Sequence, residues 1–235
     1  MKNLLILPLF LLLAFSTTAQ ETLNKGVIKM ELTEASSDNE QMAAAFEMMK
    51  GSETNYFFNE EVALVKQSFM GGMLTMSTHS NSKTDATTLL FDMMGQKMMV
   101  ETTKEELNAA NNTPEAKKAL ENMKISYDKA NTKEILGYKC YKADVAIGNG
   151  MQVSLYVTDE IKADNSLIKG LETVKLDGFP LEVTMDMPEF KMVYTTTAIL
   201  KEIESAQLVL NTTGYKKMTF DEFQKTMGSM GGMGF

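Results

Sequence analysis

Arginine and tryptophan are missing from this chain of 235 residues, and cysteine and histidine occur once each, as Cys140 and His79. Each scarcity closes off a class of chemistry. Without arginine there is no planar guanidinium fork, the group that grips phosphate and carboxylate bidentately. A nucleotide, nucleic-acid or phosphosugar site is therefore not expected. The charge balance agrees, because 23 lysines face 31 acidic residues for a net charge of −8. A chain of that sign repels phosphate backbones and anionic headgroups. One cysteine cannot form an intramolecular disulfide, so stability must come from the core alone. Cys140 itself reads as a small buried hydrophobe, with pairing between chains or reactivity as the other outcomes. One histidine rules out histidine triads and zinc sites built on two or more histidines.

Long apolar runs are scarce too. The longest, Leu4 to Phe15, covers twelve residues, whereas spanning a bilayer takes roughly twenty. Placed after Met1-Lys2-Asn3 and before Ser16-Thr17-Thr18-Ala19, it has the form of a secretory signal peptide. Thr17 and Ala19 fit the −3 and −1 positions, so cleavage is expected near Ala19, ahead of Gln20. No cysteine stands there to carry a lipid anchor. Residues 1–19 are thus read as a signal peptide and 20–227 as one domain. Residues 228–235, a Gly and Met tail, are expected to be disordered. The product is expected in the periplasm or secreted, not membrane-spanning, with a charge of −9 once Lys2 is removed from the −8 total.

Strand periodicity dominates what remains. Ile28, Met30 and Leu32 alternate with Lys29 and Glu31, the mark of a half-buried strand. Similar patterns run over 55–58, 62–69, 70–78, 87–93, 97–102, 133–147, 151–158, 181–187 and 191–203. Turn residues separate most of them: Asn59-Glu60-Glu61, Met94-Gly95-Gln96, Gly148-Asn149-Gly150 and Pro188-Glu189. Gly71-Gly72 suggests a bend inside the strand that starts at Met70. Helical spacing appears at 37–50, with Ser37 and Glu40 as a capping box. It returns after Thr103/Glu106, restarts at Thr113-Pro114, recurs over 166–174, and opens again at Thr219/Glu222. The expected fold is α+β and mainly β: a curled antiparallel sheet, a half-barrel of about nine to ten strands, with three or four short helices on one face. The space between sheet and helices is the natural place for an apolar ligand.

The stretch Lys133-Glu134-Ile135-Leu136-Gly137-Tyr138-Lys139-Cys140-Tyr141, continued by Val153-Ser154-Leu155-Tyr156-Val157-Thr158-Asp159, resembles exported bacterial proteins of the GLPGLI type. Gly178-Phe179-Pro180-Leu181 echoes their glycine, apolar, proline, leucine stretch, although the full GLPGLI string is absent. The resemblance is best over 133–189. It implies a fold similar to the LolA/LolB lipoprotein carriers, a half-barrel with a helical lid and a cavity for acyl chains. It carries over no catalytic residue, and no arginine is present for the part an arginine plays in those cavities.

Methionine is the one excess, 21 residues in all. Most fit inward positions and serve as core; some can form a deformable wall around a ligand of variable shape. The residues expected to line the ligand are Met30, Phe57, Met73, Leu155, Met185 and Met192. A soft-metal alternative, a Cu(I) or Ag(I) binder, would use Met70, Met73, Met230 and Met233. A third reading is a structural envelope protein with a protein partner and no small ligand. No cofactor is expected, and no enzyme. The paired acids Glu60-Glu61, Glu105-Glu106, Asp159-Glu160 and Asp221-Glu222 fall at turns and first helical turns, where acids are simply solvated or favoured by the helix dipole.

Overall fold

Alternation builds the sheet. In the first strand, β1 (Gly26–Ser37), Ile28, Met30 and Leu32 are buried while Lys29 is exposed. The structure is a computed structural model that describes residues 22–110, 123–147, 151–164, 175–187 and 189–229. After β1 come α1 (Glu40–Met49), β2 (Glu53–Phe58), β3 (Val62–Phe69), β4 (Leu74–Asn81), β5 (Ala86–Met93), β6 (Gln96–Thr103) and α2 (Lys104–Ala110). The second half holds β7 (Lys124–Ile135), β8 (Tyr138–Ile147), β9 (Met151–Thr158), β10 (Phe179–Met187) and β11 (Phe190–Leu200), then β12 (Lys216–Met218) and α3 (Phe220–Ser229).

All twelve strands join one sheet, in the order β12-β6-β5-β4-β3-β2-β1-β11-β10-β9-β8-β7. Two sequence-local meanders, β2 to β6 and β7 to β11, are therefore joined by β1, which pairs with β2 on one side and β11 on the other. Between these strands every pairing is antiparallel except β12 on β6, and outside them Leu23 makes an isolated parallel bridge with Ile161. The protein is mainly β, an open curled sheet with a few short helices.

The curl can be read from one ring contact. β2 and β10 are three strand spacings apart, about 14 Å on a flat sheet. Yet Tyr56 of β2 and Phe179 of β10 meet edge-on with ring centroids 5.3 Å apart.

The helices share one face. Phe46 and Met42 of α1 pack on Leu32, Ala35 and Met192, and Phe223 and Met227 of α3 pack on the cluster of Phe69, Leu74, Phe91 and Met98. α2 is tied down where Thr102 Oγ1 donates to Glu106 Oε2 at 2.6 Å. The opposite, outer face is crossed by the chain between β11 and β12. There a 3-10 turn, Ser205–Leu208, packs on β2 and β3, and Leu64 and Leu208 are buried.

Four expectations change. Among the described residues the strands number twelve, partly because the 133–147 run breaks at Leu136-Gly137. Both residues have positive φ, 51° and 85°, and form a two-residue hairpin turn between β7 and β8. The three-residue β12 is too short for periodicity to register. Met70–Gly72 is a 3-10 turn between β3 and β4 and not a bend within a strand. Asn39, and not Ser37, caps α1: its Oδ1 accepts from Gln41 N at 2.9 Å and Met42 N at 3.3 Å, while Ser37 Oγ donates to Glu189 O at 2.6 Å. By contrast, Thr103/Glu106 and Thr219/Glu222 form the reciprocal bonds of capping boxes. The signal peptide, the helical restart at Thr113-Pro114, the turn 148–150, the helix over 166–174, Pro188 and the tail from 230 lie outside the described residues.

Candidate functional site

Register decides which side chains share a face, since residues directly opposite in a ladder point the same way. On the helical face one row runs Met30, Thr54, Gln67, Met76, Phe91, Met98 from β1 to β6. Its neighbour runs Ile28, Tyr56, Val65, Thr78, Leu89, Val100. Across β11 the face continues through Tyr194 and Met192 to Val183 and Met185, then to Leu155 and Val153. On β1 to β6 and β9 to β11 these paired positions carry no Lys, Asp, Glu or His. The charges of the same strands stand on the outer face, among them Lys29, Lys66, Asp92 and Glu182.

Burial along this face is uneven. The β1–β2 and β8–β10 side is packed solid around Ile28, Tyr56, Ala143 and Leu155. The end under α1 and α3 is closed by a methionine-rich cluster that gathers Met49, Met70, Met76, Met93, Met218 and Met227 around Met98. Between them Gln67, Met76, Thr78 and Leu89 stay half-buried on β3 to β5. At the other end of the strands the chain beyond β9 crosses this face. Tyr56 Oη donates to the Asp164 carbonyl, and the Asp164 carboxylate meets Lys104 Nζ, just past β6, at 3.4 Å. The half-buried patch thus lies between the helices and this crossing segment.

Burial also sets the titration of two tyrosines on the helical face. Tyr56 is pushed well above its usual range by desolvation, reinforced by the Asp164 charge. Tyr194 is pushed up by desolvation alone. Both stay neutral hydroxyls at physiological pH.

Of the residues expected to line a ligand, Met30, Leu155, Met185 and Met192 share the helical face, and Met185 and Met192 are directly paired. Met30 and Leu155 are fully buried in the core. Phe57 points the other way: on the outer face, its ring lies 5.1 Å beneath Lys66 Nζ. Met73 sits beyond the β3–β4 turn, 46% exposed. Met70 packs into the methionine cluster, so it and Met73 part company, while Met230 and Met233 lie outside the described residues. Thr54, Gln67, Met76, Thr78 and Leu89 join the face in the structure without being marked out by the sequence. Their alternation was visible, but nothing in it distinguished half-buried from buried.

A cleft of about 530 Å³ opens elsewhere, at the strand end between Thr22–Lys25, the Asn59–Glu61 turn and Lys201. Glu60, Glu61, Lys25 and Lys201 rim it with charge of both signs, a poor setting for an apolar molecule.

No protein-family model matches the chain, and no curated protein matches it by sequence. Among solved structures it is similar to the lipoprotein LppX of Mycobacterium tuberculosis, at 8% identity and a TM-score of 0.36, covering 78% of this chain and 89% of that one. It is also similar to MucB, at 9% identity and a TM-score of 0.34, covering 82% and 60%. LprF from Mycobacterium bovis follows at 9% identity and a TM-score of 0.29, covering 77% and 88%.

Proposed function

We propose that this is a non-catalytic binding protein of the cell envelope that holds an apolar ligand, a lipid or acyl chain, against the helical face of its sheet. The observation that carries the reading is the face itself. Nine strands present no charged side chain there, and part of that surface is only half covered by the protein's own helices. Apolar surface left half-covered beside a packed core, such as that of Met76 and Leu89, gains roughly 25 cal/mol for each Å² removed from water by a guest. The methionines beside it suit a guest of variable shape, because an unbranched thioether adjusts its rotamer at little cost. The N-terminal segment supports export, and with it the periplasm or the exterior as the working compartment.

The reading is tested by purifying the mature protein and extracting it with organic solvent, then titrating the stripped protein with a fluorescent acyl probe. Bound lipid in the extract and saturable uptake of the probe are expected. A protein that yields no lipid and takes up no probe leaves a structural role with a protein partner as the better account.

A further inference from the structure

Hydrogen-bonding groups on the helical face narrow the chemistry of the apolar ligand, and the narrower assignment rests on the binding function proposed above. Thr54 and Gln67 stand directly opposite each other on β2 and β3. Thr54 is 8% exposed, and Gln67 is half-buried. Among the described residues neither the Thr54 hydroxyl nor the Gln67 amide makes a hydrogen bond, and the fully buried side-chain oxygens left unbonded are Tyr138 Oη and Glu160 Oε2 instead, so the Thr54 and Gln67 groups stay within reach of water or a guest. In the same row Met30 flanks them on one side and Met76, Phe91 and Met98 continue on the other. A polar pair is thus set into an uncharged apolar strip.

Both can bond water, and a guest that covers them has to replace those bonds, because a polar group buried without a partner is costly. A threonine hydroxyl can donate or accept, and a glutamine amide does both. Together they suit a carbonyl or hydroxyl. They do not suit an ion, because a carboxylate or phosphate taken out of water needs an opposite charge beside it, and the paired positions of this face supply none. We infer that the ligand is a lipid with an uncharged hydrogen-bonding group, an acyl ester, amide or alcohol. That group is held between Thr54 and Gln67, and the alkyl chain runs over Met76 and Phe91 toward Met98.

Three probes read this out on the stripped mature protein: a pyrene-labelled fatty acid, its methyl ester, and an alkylpyrene with neither group. At pH 8 the acid is ionised, its carboxyl titrating near 4. The ester should bind at least about ten-fold more tightly than the acid, because the ionised carboxylate has to leave water with no opposite charge on this face. The double variant Thr54→Val/Gln67→Leu should lose about ten-fold in ester affinity and keep its affinity for the alkylpyrene. It should unfold no earlier than the parent, since neither side chain has an internal bond to lose. The single variant Gln67→Leu, at the half-buried position, carries the same expectation at smaller size and serves if the double variant does not fold. Equal binding of acid and ester at pH 8, or ester affinity untouched by the substitutions, overturns the assignment while leaving the apolar site standing. Failure of the parent to bind even the alkylpyrene removes the site and the assignment together.

Discussion

Phe223 of α3 meets Phe91 of β5 edge-on, with ring centroids 6.0 Å apart, and this contact fastens the last helix of the chain to the helical face. On the other side of β5, Leu90 is also buried, on the outer face that the chain crosses between β11 and β12. The C-terminal stretch passes outside the sheet along β2 and β3, adds β12 at the edge, and returns inside as α3. Phe223→Ala should lower stability by about 1–2 kcal/mol, less than a fully buried phenylalanine because Phe223 is only partly covered. Urea titration followed by circular dichroism would register this as a lower midpoint at unchanged slope. An unchanged midpoint means α3 rests on the sheet without holding it.

Cys140 is fully buried, and burial, with the charges of Glu160 and Glu182 nearby, pushes its thiol up to about 12. At pH 8 a thiol-specific reagent should leave the folded protein unmodified and react at once in urea; fast labelling of the folded protein contradicts this. The same raised value has a stability consequence. The folded state keeps the proton more firmly than the unfolded one, so the stabilisation is complete below about pH 8.5, the ordinary thiol value. It is lost as pH climbs toward 12. Tyr56, Tyr138, Tyr141 and Tyr194 are raised as well, burial being the largest cause in each, and they add to the loss above about pH 10. Thermal melts should be flat between pH 7 and 8.5 and fall steeply beyond pH 10.

Leu136 occupies the left-handed region at φ 51° while 52% exposed, an arrangement that strains leucine and suits asparagine. Leu136→Asn turns the β7–β8 connection into an Asn-Gly turn and should raise stability by about 0.5–1 kcal/mol. A rise in melting temperature checks it, and a fall would mean that the leucine side chain makes a contact worth more than the strain.

How much of this could be read from residues alone varied by element. The strands with clean alternation, such as Ile28-Met30-Leu32 and Val153-Leu155-Val157, were plain, because a period of two has few other meanings. So were the Thr103/Glu106 and Thr219/Glu222 helix starts, whose chemistry is local. Leu136-Gly137 was missed because leucine is not a turn residue; the tertiary pairing of β7 with β8 imposes the turn on it. The site was legible only in part. Met30, Leu155, Met185 and Met192 share a face because each follows the inward parity of its strand. Phe57 does not, since Tyr56 and Phe58 take that parity, and an aromatic run of three gives no hint which way the middle ring points. Thr54 and Gln67 are brought together only by the register of β2 on β3, which strand periodicity does not fix.

The joint between β1 and β11 has a consequence for how the molecule is assembled. Val27 pairs with Leu200, whereas the two meanders on either side are built from neighbours in the chain. Each half can form quickly by itself, but joining them closes a very large loop, the slow kind of step. Those amides of β1 and β11 that bond across this joint should thus be the last protected in pulse-labelled hydrogen exchange during refolding. Until then each half offers a bare strand edge beside uncovered apolar surface, and it is in that interval that the newly made chain is most prone to clump with its own kind.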